Sequence, residues 1–228
     1  WADWSAGIRV QHYLCHELNQ IGHDAFLVLH GPRTQSEISP LLNTPVLTKD
    51  LALEHHRKHK TIVAIYPETI KGNPLHAPNV IRWLLNYTSL LGGQRDFLNE
   101  KVLAYTSSVA EHYSKITGYK PDILFIPAIK SSEIEDLLLE PVLNNDNFQV
   151  IYAQKYRSLG GIPDTSYSSF TEIIRFGRGA PNRAKTLNLI KGAQVLHAYE
   201  NTTTISEACL LGTPVLCHKN EYFDELLA

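Results

Sequence analysis

The stretch "YENTTTISEACLLGTPVL", residues 199–216, sets two carboxylates, Glu200 and Glu207, around the consecutive threonines Thr202, Thr203 and Thr204, directly after the apolar run "QVLHAY". If that run is a strand and "TTTISEACLLG" a helix, the threonine hydroxyls lie at the helix's first turn. Unpaired N–H groups and the positive end of the helix dipole favour an anion there. Carboxylates aimed at a phosphate would repel it, but they suit hydroxyl groups, which donate hydrogen bonds to charged acceptors. Phosphate and sugar hydroxyls together describe a nucleotide sugar. N-capping is the bland role of threonines in such a place, and the adjoining GTPV turn shifts the balance towards ligand contact.

Positioning these residues requires strands and helices in alternation, and the rest of the chain supplies the pattern. Leu14, Leu18 and Ile21 follow helical spacing in the opening segment, which ends at Gly22, and "AFLVLH" after it reads as a buried strand. The strand expected before that helix would precede Trp1. Further strands are expected at "TIVAIYPE" (61–68), "VLAYTS" (102–107) and "DILFIPAI" (122–129), with helices at "APNVIRWLLNY" and "SVAEHYSKITG". A polar stretch, "KSSEIEDLLLEPVLNNDN", follows. The alternation then restarts with the strands "FQVIYAQKY" and "TEIIRFGR", the helix "NRAKTLNLIKGA", the strand "QVLHAY", the helix above and the strand "TPVLCH". Such alternation on short loops predicts an α/β chain of parallel sheets covered on both faces. With a boundary near residue 130, it divides into two Rossmann-like domains, 1–130 and 131–228. Ligands bind beyond the carboxyl ends of parallel strands, which selects Trp4–Arg9, Tyr66–Asn73, Lys155–Ser158 and Tyr199–Thr204 as candidate cleft residues.

The 228 residues carry a net charge of -2 and a pI near 6.6. Without a basic footprint to neutralise phosphates, sequence-independent nucleic-acid binding is disfavoured. Cys15, Cys209 and Cys217 are odd in number and lack C-x-x-C spacing, which predicts a reduced, cytosolic compartment and no zinc or redox pair. The absence of a transmembrane-length apolar run leaves room for peripheral contact at the inner membrane face. There is no methionine, unusual at this length.

The segment "EACLLGTPVL" resembles the donor site of GT-B glycosyltransferases related to glycogen and sucrose synthases. Their motif is E-x7-E followed by A-x-x-x-G-x-P-V. Glu207, Ala208, Gly212, Pro214 and Val215 stand in register with it, whereas Glu200 and Glu207 enclose six residues instead of seven. The segment "SAGIRVQHYLCHELNQIGHDAFLV" is similar to the family's Gly-rich loop and first helix, and "YPE", "GNPL" and "RWLLN" resemble bacterial members that build surface polysaccharides. The resemblance implies transfer of a sugar from a nucleoside diphosphate to a glycan, lipid-linked glycan or small-molecule acceptor. It assigns Glu207 to the donor ribose hydroxyls, Glu200 to the sugar, Thr202, Thr203 and Thr204 to the diphosphate, Asn201 to substrate binding, and Lys155 to the diphosphate as a catalytic cation. Gly7 and Arg9 fall in the first loop, and Arg178 or Arg183 would supply a second cation. A cation and a helix terminus stabilise a departing diphosphate without metal, in keeping with the lack of D-x-D. No cofactor is implied beyond the donor substrate.

Other patterns point elsewhere or nowhere. His55 and His59 in "EHHRKHK" stand four apart, but a solvated basic face explains them better than a metal. "CHELNQIGH" is not H-E-x-x-H, and "GRGAPN" is a turn before a helix rather than a dinucleotide fingerprint. Trp4, unlike Trp1 and Trp83, is expected to stack on a sugar ring. Asp3, His76 and Glu68 are candidate general bases. A sugar-nucleotide epimerase would share the fold but need no acceptor, and a non-catalytic nucleotide-sugar-binding module would hold donor without turnover.

Overall fold

The structure is a computed structural model that describes residues 5–29, 39–59, 61–139, 148–173 and 182–222. The chain is α/β, and it divides into two compact units, one built on Gly7–Pro127 and the other on Ala128–Ala228. Among the described residues, no helix is long and apolar enough to cross a membrane.

The first unit opens with α1 (Ala6–Gln20), ended by Gly22 at a φ of 90°, a left-handed turn that glycine adopts freely. Two short parallel strands, β1 (Leu27–Val28) and β2 (Val46–Leu47), pair with each other, and α2 (Lys49–Lys58) follows behind its cap Thr48. The main sheet has the order β3-β4-β5-β6 and is parallel throughout, from β3 (Val63–Pro67), β4 (Asn79–Leu84), β5 (Lys101–Ala104) and β6 (Asp122–Ile123). Helix α3 (Ser107–Thr117) starts at Thr106, whose hydroxyl accepts from Val109 N–H, and packs Val109, Ala110 and Tyr113 on Leu84, Val102 and Ala104.

The helix expected at "APNVIRWLLNY" is strand β4, paired on both sides. Its second half, Arg82 to Leu84, is buried, so the run lacks the alternation of a half-buried strand, and that pattern reads equally as a helix. Arg82 lies inside it with no exposure. It donates from Nε and Nη2 to both oxygens of Glu100 at 2.8 and 3.0 Å, and to the carbonyls of Pro67, Ile70 and Gly72 at 3.2, 2.6 and 2.9 Å. A buried guanidinium is tolerable because its fork of donors is met. Trp83 is a core residue too, its Nε1 donating to Leu124 O at 3.0 Å.

In the second unit the polar stretch after the boundary contains helix α4 (Ser131–Leu139). The sheet is again parallel, with the order β10-β9-β7-β8, formed by β7 (Gln149–Tyr152), β8 (Phe170–Glu172), β9 (Val195–Ala198) and β10 (Val215–Cys217). Between them run α5 (Gln154–Ser158), α6 (Arg183–Lys191, capped by Asn182) and α7 (Thr203–Leu210). Leu187 and Ile190 of α6 and Ala208 of α7 share one core with Val150, Tyr152 and Leu196 of the sheet. The chain passes from β7 outward to β8, then crosses back to lay β9 on the other side of β7 and continues to β10. The strand order therefore reverses between β7 and β9. In open parallel sheets that switch point leaves a crevice outside the carboxyl ends of the two strands.

Candidate functional site

Both loops at the switch point carry residues singled out above. After β7 come Ala153, Gln154 and Lys155; after β9 come Tyr199, Glu200, Asn201 and Thr202. The loops are tied to each other. Helix α5 has no side-chain cap of its own at Ala153. Its first N–H groups are met from the neighbouring loop instead: Tyr156 N–H donates to Glu200 Oε2 at 3.0 Å, and Lys155 N–H donates to the same oxygen. Lys155 Nζ turns back to donate to Asn201 O at 3.0 Å and lies 3.8 Å from Glu200 Oε1. A carboxylate at a helix N-terminus is favoured by the dipole and by the N–H groups it accepts from.

Thr202 is the N-cap of α7, its Oγ1 accepting from Thr204 N–H at 3.3 Å and donating to Thr204 Oγ1 at 3.2 Å. Asn201, Thr202 and Thr203 are half-buried, whereas Thr204 is buried. The capping role and an anion-binding role are compatible here, since Thr203 lies in the first turn with Lys155 directed at the adjoining carbonyl.

Glu207 stands one turn further along α7, with no exposure. Its Oε1 is bonded to Arg183 Nη1, and Arg183 also donates from Nε and Nη2 to Glu133 Oε2 at 3.1 and 3.0 Å. This triad joins α4, α6 and α7. Burial opposes the Arg183 charge, but Glu207 and Glu133 together outweigh it and push the guanidinium pKa up. The two glutamates of the sequence motif thus turn inward: Glu200 to the start of α5, Glu207 to Arg183. Neither presents an exposed carboxylate.

The remaining expected residues lie in the first unit or outside the described residues. Gly7 is in the first turn of α1, where an added Cβ would meet only Leu85 Cδ1 at 3.6 Å, an ordinary contact. Its conformation needs no glycine. Arg9, two residues on, is fully buried. Glu68 is nearly so, its Oε2 accepting from Leu85 N–H at 2.9 Å, and His76 is exposed in a left-handed conformation at φ 50°. Asp3, Trp4 and Arg178, with most of "GRGAPN", lie outside the described residues. Two open depressions of about 480 and 710 Å³ lie in the first unit; His76 lines the first, and Asn73, the last residue of the cleft segment expected at 66–73, lines the second. Among the described residues, no group of three or more His, Cys, Asp and Glu side chains is arranged to hold a metal ion.

Sequence reasoning missed an aromatic column under the site. Tyr199 is stacked between Tyr156 (centroids 5.4 Å apart) and His218 (4.2 Å, planes 3° apart), and its hydroxyl accepts from Asp164 N–H at 3.0 Å. Burial pushes its phenol pKa up to about 12. Beyond His218 the rings of His197 and Tyr167 continue the column. Only the clustering of aromatic and histidine residues at strand ends hints at it in the sequence.

Comparison of the chain with protein-family models, with curated proteins and with solved structures finds no match in any of the three.

Proposed function

We propose that the chain is a metal-independent glycosyltransferase that takes a sugar from a nucleoside diphosphate, and that the diphosphate docks at the β7/β9 switch point. The observation that supports this reading is the reversal of strand order between β7 and β9, with Lys155 on one flanking loop and Thr202–Thr204 on the other. A cation, threonine hydroxyls and a helix N-terminus form an anion site of the kind a departing diphosphate requires. In this reading Lys155 and the first turn of α7 carry charge stabilisation. Asn201, Thr202 and Thr203 line the binding loop. Glu200 is a positioning residue that fixes Lys155 through α5, and Glu207 fixes α7 through Arg183. A GT-B arrangement of the two units, an acceptor of glycan or lipid-linked type and a cytoplasmic location go with the proposal.

A second reading is a nucleotide-sugar-binding module without turnover, favoured by the burial of both glutamates. Chromatography of a nucleotide sugar incubated with the chain in EDTA separates the two. Release of free nucleoside diphosphate, faster with a glycan acceptor and undiminished by the chelator, supports the transferase. Binding without release supports the module, and activity that requires added Mg2+ or Mn2+ contradicts the metal-free mechanism.

A further inference from the structure

His197 is buried on the central strand β9 and makes three polar contacts: Nε2 to Gln149 Oε1 at 2.6 Å, and Nδ1 to both His218 Nε2 at 2.9 Å and Tyr167 Oη at 3.1 Å. An amide oxygen only accepts, so His197 Nε2 carries the hydrogen and Nδ1 is a lone pair. His218 must then donate from Nε2. A nitrogen-to-nitrogen contact of this length holds one hydrogen, so the pair tolerates a single extra proton and not a second. With both rings charged, two N–H groups and two cations would be set against each other.

The consequence reaches the site through His218. Its ring lies flat on Tyr199, and Asn220 Nδ2 ties Tyr199 O (2.9 Å) to His218 O (3.0 Å). Tyr199 is followed directly by Glu200 and stacks on Tyr156, the neighbour of Lys155. We infer that His218 is a positioning residue for the β9–α7 loop, holding Tyr199 in place through a contact with His197 that survives only while the pair carries no more than one extra proton. Its value as a positioning device for a diphosphate rests on the function proposed above; the device itself does not.

Among the described residues, the groups that face the pair come from three elements. Asp164 and Tyr167 come from the loop before β8, Gln149 from β7, and Tyr199 from the end of β9. Burial, as the largest cause, depresses both histidine pKa values; His218 adds to the effect on His197, while Asp164 opposes it on each. Groups depressed in this way lend full stability above the ordinary histidine pKa, about 6.5, and lose it as pH falls towards the folded-state values. Acid therefore loosens the loop.

The test is NMR of the intact chain, reading histidine ring nitrogens and the exchange of the Tyr199–Thr204 amides from about pH 7.5 to about pH 5, around the ordinary histidine range. The wild type should show His197 protonated at Nε2 alone at the upper pH. Its loop amides should lose protection several-fold, beyond the intrinsic change of exchange with pH, on acidification. His218→Gln keeps a neutral donor and should flatten that loss; His218→Phe keeps the stack, removes the donor, and should lower protection at every pH. Independent titration of both rings near their ordinary value, or equal pH profiles for wild type and His218→Gln, would overturn the inference. UDP, GDP, dTDP and CDP affinities in the same samples form a separate arm. If none of the four binds at any pH the nucleotide reading fails, and the exchange data still decide the role of His218.

Discussion

The N–H of Tyr156 donates to the carboxylate of Glu200 at 3.0 Å, so the loop after one central strand caps the helix after its neighbour. The two residues are 44 positions apart in the chain. With the bond from Lys155 N–H to the same oxygen, it links the main-chain positions of Lys155 and the Glu200–Thr204 loop, and it directs Glu200 to the start of α5.

Replacing Glu200 by Ala removes the acceptor for two α5 N–H groups and leaves them in a buried setting. Loss of stability of about 1–3 kcal/mol is expected, read by urea unfolding. Glu200→Gln retains an acceptor oxygen and should lose less. Equal stability of wild type and Glu200→Ala would show that the carboxylate does not hold α5.

The Arg183–Glu207 pair gives a second test. Glu207→Ala strands a buried guanidinium with the half-exposed Glu133 as its remaining ion-pair partner among the described residues, which should cost about 3–5 kcal/mol. A double substitution of Arg183 and Glu207 by Met should recover most of that, because an apolar pair of similar volume avoids the desolvation of both charges. A Glu207→Gln variant that unfolds like wild type but binds nucleoside diphosphate weakly would instead restore the direct ribose contact implied by the family resemblance.

Two glycines make opposite predictions. An added Cβ at Gly93 would stand 2.0 Å from Glu68 O, at a φ of 85°. Gly93→Ala should therefore destabilise by about 1–3 kcal/mol. Gly7→Ala meets only an ordinary 3.6 Å contact and should fold as well as wild type, with thermal unfolding as the measure. If Gly7→Ala nevertheless lowers turnover, the backbone there approaches a ligand.

Stability should also fall with acid through His12. Burial lowers its pKa to about 4, so the folded chain resists a proton that the unfolded chain accepts from about pH 6.5 downwards. The contribution is whole above the ordinary value and lost as pH drops towards 4, by up to about 3 kcal/mol. His12→Asn should flatten that part of the pH–stability curve.

Much of the α/β order was legible because helices and strands carry distinct periods and stops: Gly118 ends α3 in a left-handed turn, and Asn182 and Thr202 cap α6 and α7. Strand β4 was not, because "VIRWLL" hides the alternation that marks a half-buried strand and because Arg82 finds its partners in distant loops. Helix α4 was lost in a stretch that reads as polar linker. The placement of Lys155 and of the threonines after strands was legible. The directions of Glu200 and Glu207 were not, since each is set by a partner more than twenty residues away, at Tyr156 and Arg183. The His197–His218 contact likewise depends on the pairing of β9 with β10, which no local spacing encodes.

Calorimetric titration of UDP, GDP, dTDP and CDP into the wild-type chain and into Lys155→Ala probes the diphosphate site itself. At least one of the four should bind wild type, and Lys155→Ala should weaken that binding by about 1.5–3 kcal/mol, the scale of a hydrogen bond to a charged group, while unfolding at a similar denaturant concentration. Binding of none of them, or equal affinity in the two proteins, would contradict a diphosphate site at the β7/β9 switch point.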